Sequence, residues 1–363
     1  VGHRLFFPQK VFIECSVAEE PLTKRLLDRL PEAQHILLPE ERSPLLELTQ
    51  EEAAHSLLLA RQRGHFAKPC PGTKGYICCG YWNLNVAMGC NIGCHYCILR
   101  GYLSSPVPTI YTNTADMWQE LDQLLRRRWP AVVRIGTGEL ADSLAFDHLS
   151  ELNRGLVCYF ADKRRALFEL KTKTDTIEPL LGIEHGRRTV LSWSLNTARM
   201  VEAHEPNSAP LARRLEAARK AQDAGYRLGF HFDPLIWHEG WKEEYAAVVH
   251  RLFSFARPEN IAWISLGALR YPAHLDELIR ERHGQSDLPL GELLPGKDGK
   301  LRYFRAIREE MFRWLYQRIR LHAPHVAVYL CMESDEVWRR SFGWSPGDSA
   351  GLARLLDERV HLP

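Results

Sequence analysis

From Trp82 onward, short apolar runs alternate with amphipathic stretches. The runs are Leu84–Ala87, Val132–Ile135, Leu167–Leu170, Val190–Trp193, Leu228–Phe232 and Ile261–Leu266. Each is short enough for a strand and too short for a typical helix. Between them the apolar residues take the helical period, as in Met117, Leu121, Leu124 and Leu125. A second helix carries Leu211, Leu215 and Ala218, with Pro210 near its start and Gly225 at its end. Strand–helix alternation predicts an α/β fold with a parallel sheet, and six strands predict a partial (β/α)6, TIM-like barrel.

The flanks read differently. Residues 1–80 predict an N-terminal α/β layer, with a strand at Val11-Phe12-Ile13 and helices over Leu22–Leu30 and Glu51–Arg61. A polar, proline-bearing connection joins those helices. The barrel is expected over 81–272. Residues 273–363 predict an extension with a hairpin over Leu293–Tyr303, turning at Pro295-Gly296-Lys297-Asp298-Gly299. A long helix over Tyr303–Leu321, a strand over Val326–Leu330 and a helical tail broken at Ser345-Pro346-Gly347-Asp348 complete it.

Composition narrows the class. The chain has 363 residues, 45% hydrophobic and 25% charged, which is ordinary for a globular protein. A net charge of +2 provides no global field toward nucleic acid or membrane. No run of about 18 apolar residues predicts a membrane span, and Val1–Phe6 shows no apolar signal region. Nine cysteines in such a chain read as reduced and metal-binding, which implies a cytoplasmic protein.

Three of those cysteines carry the chemistry. Cys90, Cys94 and Cys97 stand in a C-x3-C-x2-C pattern, with Tyr96 before the last and Gly89 and Gly93 allowing a tight loop. A [4Fe–4S] cluster normally takes four thiolates, so three leave one iron open for a small molecule. Zinc is the rival, but its cysteines usually come as two separated pairs. The triplet resembles the signature of the radical S-adenosylmethionine (SAM) superfamily. There the open iron holds SAM and cleaves it reductively to a 5′-deoxyadenosyl radical, and the aromatic in the Tyr96 slot packs near the adenine.

Further motifs fall at strand ends, where barrel chemistry gathers. Gly136-Thr137-Gly138-Glu139 resembles the superfamily's "GGE" motif, whose carboxylate and backbone hold the SAM ammonium. Its plain alternative is a turn before a helix. Lys171 could meet the SAM carboxylate, or stand solvated. Ser194 and Asn196 offer donors for the ribose, or cap a helix.

The chain also resembles the spore photoproduct lyase family over about residues 5 to 332. The resemblance rests on Gly89–Cys97, Phe168–Lys171, Ser194–Asn196 and Ala224–Phe230. Pro234 with His238-Glu239-Gly240-Trp241, and Phe7–Glu14, match too. It implies a radical SAM partial barrel whose C-terminal hairpin approaches DNA. It also implies reduction by an external one-electron donor such as flavodoxin or ferredoxin. In that family a thymine dimer lesion loses a hydrogen atom to the adenosyl radical and splits into two thymines. Two positions depart from the pattern. The lyases place a donor cysteine after the second strand, where this chain has Glu139 at or near the slot. A tyrosine follows their last cluster cysteine, where this chain has Ile98.

Cys70, Cys78 and Cys79 read as structural, or as an auxiliary cluster or replacement donor thiol; Cys15, Cys158 and Cys331 read as core. Lys297, Lys300, Arg302, Tyr303, Arg305 and Arg308 could meet phosphates around the hairpin, or form a solvated helix face. Arg126–Arg128 and Arg339–Arg340 read as surface charge. The reading is a radical SAM enzyme acting on DNA. The alternatives are the same chemistry on a peptide or small molecule, and a non-catalytic, metal-stabilised nucleic-acid-binding module.

Overall fold

Among the described residues, eight strands form the principal sheet and lie in it in chain order. They are β1 (Ala67–Pro69), β2 (Trp82–Leu84), β3 (Val133–Gly136), β4 (Ala166–Thr172), β5 (Thr189–Ser194), β6 (Arg227–Leu235), β7 (Ile261–Ala268) and β8 (Val328–Leu330). β1 runs antiparallel to β2, and every later pairing is parallel. The sheet curls into a half barrel, with helices between its parallel strands as the alternation predicts. The computed structural model describes residues 5–38, 45, 47–103, 105–282, 286, 288 and 291–359. Residues 1–4 of the opening segment, and 39–44 and 46 of the proline-bearing connection, lie outside them.

Three expectations change. First, Glu51–Arg61 is not one helix. A short helix over Gln50–Ala54, closed by a Thr49–Glu52 capping box, gives way to a strand over Ser56–Ala60. All five strand residues are buried. Leu57 and Leu59 join the cluster beneath the helix Pro21–Asp28, while Leu58 and Ala60 join the main core. A strand covered on both faces shows no alternation, so its apolar run mimics a helix segment. Second, Leu84–Ala87 is split. Asn85 turns the chain, its N–H donating to Phe66 O at 2.8 Å. Ala87–Met88 then pairs with Thr109–Tyr111 in the N-terminal sheet. Third, β8 and β1 extend the six expected strands.

Among the described residues the N-terminal sheet has five strands, in the order Gln34–Leu38, Lys10–Glu14, Ser56–Ala60, Thr109–Tyr111, Ala87–Met88. Its last two strands bracket the cluster loop, Ala87–Met88 directly before it and Thr109–Tyr111 after it, so both ends of the loop are anchored in this sheet. The expected hairpin forms from Leu293–Pro295 and Lys300–Tyr303, and Arg270–Pro272 adds a third antiparallel strand to it. Among the described residues one bridge, Ile77 N–H to Glu333 O at 2.9 Å, ties the segment between β1 and β2 to the chain just past β8.

Candidate active site

The inner face of the barrel is polar because alternate strand residues point one way. Glu169 and Lys171 lie two apart on β4, Ser192 and Ser194 on β5, His231 and Asp233 on β6, and Trp263 and Ser265 on β7. Glu169 Oε1 accepts from Ser192 Oγ at 2.5 Å, His231 Nε2 at 2.8 Å and Trp263 Nε1 at 2.9 Å. Burial alone would raise its carboxyl, but His231, Lys171 and Ser192 outweigh that and hold it at about 2. Gly229 makes this possible, since a Cβ there would meet Trp263 Nε1 at 3.0 Å and overlap Ser192.

Above this floor lies a cavity of about 280 Å³. Tyr96, Cys97 and Ile98 of the cluster loop form one wall. Glu139 and Lys171 form another, and Lys171 Nζ donates to Glu139. Asp233 and Arg270 meet through two 3.1 Å contacts on a third side. Cys70, Cys78, Cys79, Cys331, Tyr81 and Tyr329 complete the lining, with Lys300 entering from the hairpin sheet. Within the lining, three carboxylates face three Lys or Arg cations.

Gly89 and Gly93 both take positive φ, +74° and +73°, which lets the cluster loop fold back on itself. Arg100 Nη2 donates to Gly93 O at 2.9 Å, and Gly89 N–H donates to Leu140 O at 2.7 Å. The loop is thus tied to the turn that carries Glu139. Asn207 Nδ2 donates to Asn91 O at 2.9 Å, and His95 N–H to His204 O at 2.9 Å. Burial pushes the Cys90 thiol up to about 12, and raises Cys97 and, further, Cys94. Cys90 is raised further by Cys97, and Cys94 by both of the others. Among the described residues no three His, Cys, Asp or Glu side chains converge on one metal ion. A cubane takes its thiolates on separate irons, so three thiols spread around a folded loop beside a cavity fit it.

The other expected site residues fall into two groups. Tyr96, Glu139 and Lys171 line the cavity. Tyr96 also reaches behind the loop, where its hydroxyl donates to the fully buried Glu205, which in turn pairs with Arg214 and with Lys173 at 3.2 Å. Gly136 and Gly138 serve close approach. A Cβ at Gly136 would overlap the Tyr81 hydroxyl, and one at Gly138 would sit 2.6 Å from Lys171 Cβ. Ser194 and Asn196 are not among the residues lining the cavity. Ser194 O accepts from Arg214 Nη1 at 2.9 Å. The Asn196 amide donates to Pro234 O and accepts from Tyr245 Oη at 2.6 Å.

Several cysteines and arginines also differ from expectation. Cys15 and Cys158 are exposed, because one ends a strand beside Leu38 O and the other sits on an outward helix face. Cys331 lines the cavity instead of packing in the core. Arg302 is buried against Asp298 at 2.8 Å, and Arg308 against Glu333 at 2.8 Å. Arg308 Nη1 also donates to Tyr303 O, which ties the hairpin to the long helix Arg305–His322, and Lys297 and Arg305 are left as the cations of that group nearer solvent. Sequence reasoning missed Glu169, His231, Asp233 and Ser265. The signal was present as polar residues at every second position inside apolar strands.

A half barrel with a three-cysteine loop after its first parallel strand is the radical SAM fold. The sequence model of the spore photoproduct lyase family matches residues 78–318, and the chain belongs to that family, whose members are radical SAM enzymes. The spore photoproduct lyase of Bacillus subtilis (strain 168) is 27% identical over 337 residues, spanning 89% of this chain and 94% of its own. A solved spore photoproduct lyase complexed with dinucleoside spore photoproduct superposes with a TM-score of 0.79. It is 22% identical, and the match covers 90% of this chain and 99% of that one. A doubly substituted spore photoproduct lyase with bound AdoMet and the same dinucleoside gives 0.80 at 22% identity, covering 91% of this chain and 100% of that one. No helix among the described residues is long and apolar enough to cross a membrane.

Proposed function

We propose that this chain uses a [4Fe–4S] cluster and SAM to open a thymine dimer lesion in DNA, as the lyases of its family do. Cys90, Cys94 and Cys97 would hold the cluster. When bound, the cluster and SAM supply a 5′-deoxyadenosyl radical, given one electron from an external donor of the flavodoxin or ferredoxin kind. The chain's own residues bind and orient. Glu139 and Lys171 suit the ammonium and carboxylate of SAM's amino-acid end, with charge-assisted hydrogen bonds on both sides. Ser194, at the end of β5, is the proposed donor toward the ribose. Asn196, engaged on both amide atoms, is a positioning residue that fixes that strand end against Pro234 and Tyr245. The lesion would occupy the part of the cavity bounded by Arg270, Lys300 and Met332, beneath the hairpin. A primary carbon radical is selective only when its target is held close and dry, which this enclosure supports.

One observation carries the reading. The three-cysteine loop and the Glu139–Lys171 pair face the same cavity from two walls. The test is anaerobic incubation with SAM, dithionite and dinucleoside spore photoproduct, scoring 5′-deoxyadenosine and thymine. Both products are expected. Formation of 5′-deoxyadenosine without thymine would move the substrate to a peptide or small molecule. Absence of iron after anaerobic reconstitution would remove the radical chemistry altogether.

A further inference from the structure

Breaking the crosslink of a thymine dimer after hydrogen abstraction leaves one thymine as a carbon radical, one hydrogen atom short. This step rests on the function proposed above. The missing atom has to come from a weak bond facing the same cavity. Glu139, at the end of β3, offers only a carboxylate, paired with Lys171. Thiols deliver hydrogen atoms to carbon radicals readily, and four outside the cluster trio line this cavity: Cys70, Cys78, Cys79 and Cys331.

Their surroundings differ. Cys331 Sγ lies 3.5 Å from Arg270 Nη2, on the side held by the Arg270–Asp233 pair. Cys79 is half-buried beside Arg134, whose guanidinium donates to the Cys79 carbonyl. The Cys78 sulfur is packed under Gly72, where a Cβ would come within 3.0 Å of it. Cys70 directly follows β1 and is partly exposed to the cavity. Its sulfur accepts the Gly72 N–H, and its electrostatic neighbours include Glu139, shared with Cys79 and Cys331, and Lys171, which neither of those two shows. It lines the same cavity as Glu139 and Lys171, the residues assigned to SAM.

We infer that Cys70 is the hydrogen-atom donor that closes the reaction. Its S–H bond breaks and a C–H bond forms on the thymine radical. The lesion loses one hydrogen atom to the adenosyl radical and regains one from Cys70, so the two thymines keep the lesion's full atom count. The thiyl radical left on Cys70 takes one electron from the same one-electron donor that reduces the cluster, and one proton from water, and returns to the thiol.

Cys70→Ser keeps the side-chain volume but replaces S–H with a much stronger O–H bond. Reconstituted wild type, Cys70→Ser, Cys78→Ser, Cys79→Ser and Cys331→Ser are compared with dinucleoside spore photoproduct, SAM and dithionite in D2O, with Cys158→Ala as the remote control. Wild type is expected to give thymine carrying one deuterium, because the thiol proton exchanges with solvent. Cys70→Ser is expected to keep its iron and to form 5′-deoxyadenosine, while thymine falls to background. Independently, in cluster-free protein, the dinucleoside is expected to slow alkylation of Cys70, read by peptide mass spectrometry. Undiminished, deuterium-labelled thymine from Cys70→Ser would overturn the assignment, as would the same loss confined to another cavity cysteine, or an unprotected Cys70. Absence of 5′-deoxyadenosine from wild type would instead refute the proposed function itself, and the donor role with it.

Discussion

The buried ion cluster behind the cysteine loop should govern both acid stability and cluster retention. Glu205 is fully buried and meets Tyr96, Lys173, Ser208 and Arg214. Burial alone would raise its carboxyl, yet Arg214 and Lys173 hold it at about 2, against an ordinary value of 4.5. That gap of about 2.5 units, at roughly 1.4 kcal/mol each, corresponds to about 3 kcal/mol of folding stability at pH 7. The folded value is depressed, so the contribution is complete above the unfolded value near 4.5 and is lost as the pH falls toward 2. By pH 3 roughly 1 kcal/mol of it remains. Glu205→Gln keeps the shape and removes the charge. Guanidinium unfolding should show a loss of about 3 kcal/mol at pH 7, consistent with breaking a buried pair, narrowing to about 1 kcal/mol at pH 3. Because Tyr96 sits between Cys94 and Cys97, the same variant should retain less iron after reconstitution. A stability loss equal at the two pH values would refute the electrostatic account.

Three further outcomes are expected. Gly136→Ala should lower stability by about 1–3 kcal/mol, since a methyl group there overlaps Tyr81 and Glu169 and must push β3 from β4; a urea midpoint unchanged from wild type would count against that packing. Asp147 is buried, and burial raises its carboxyl to about 6, so its ionisation weakens the fold as pH rises through the window from 3.8 to 6. Asp147→Asn should therefore gain up to about 3 kcal/mol at pH 7 and little at pH 4, by thermal or denaturant unfolding at both. Lys171→Met should weaken SAM binding by about 10- to 100-fold, the worth of a charged hydrogen bond, measured by equilibrium dialysis on anaerobically reconstituted protein.

The barrel was legible because its parallel strands are short apolar runs separated by amphipathic helices, and every one expected from that pattern but the split Leu84–Ala87 appears within a few residues. Legibility failed where burial or length broke the pattern. Ser56–Ala60 is covered on both faces and lost its alternation. Ala67–Pro69 is a three-residue edge strand ending in proline, too short to have a period. The cysteine loop and the Glu139 turn could be found because they follow strands, where side chains leave the core. The floor of the site could not be found the same way. Glu169, His231 and Ser265 lie inside strands whose neighbours are fully buried, so the runs read as core, and their mutual contacts join residues far apart in sequence. The hairpin arginines show the converse. Arg302 and Arg308 look like a basic patch until Asp298 and Glu333 are seen beside them.

The same pairing explains what the cavity can admit. Glu139 faces Lys171, Asp233 faces Arg270, and Glu169 faces His231, so each carboxylate on the lining already has a cationic or hydrogen-bonding partner. A phosphate entering here would gain Lys171 only by leaving Glu139 unpaired and facing a like charge, which is unfavourable. A zwitterion with adjacent ammonium and carboxylate has no such conflict. It can separate the Glu139–Lys171 pair and give each partner a new one, with the local charge unchanged. On the proposed reading that is the amino-acid end of SAM. On that reading the phosphates of a DNA substrate would fall to Lys300, which reaches the cavity from the hairpin sheet, and to the more exposed Lys297 at the hairpin turn. Neutral thymine rings would enter, and the backbone would stay outside. A lesion carried on a short dinucleoside should therefore depend on the hairpin lysines less than the same lesion in duplex DNA does. Lys297→Ala should weaken binding of the duplex, and flatten its salt dependence, while binding of the dinucleoside is unchanged.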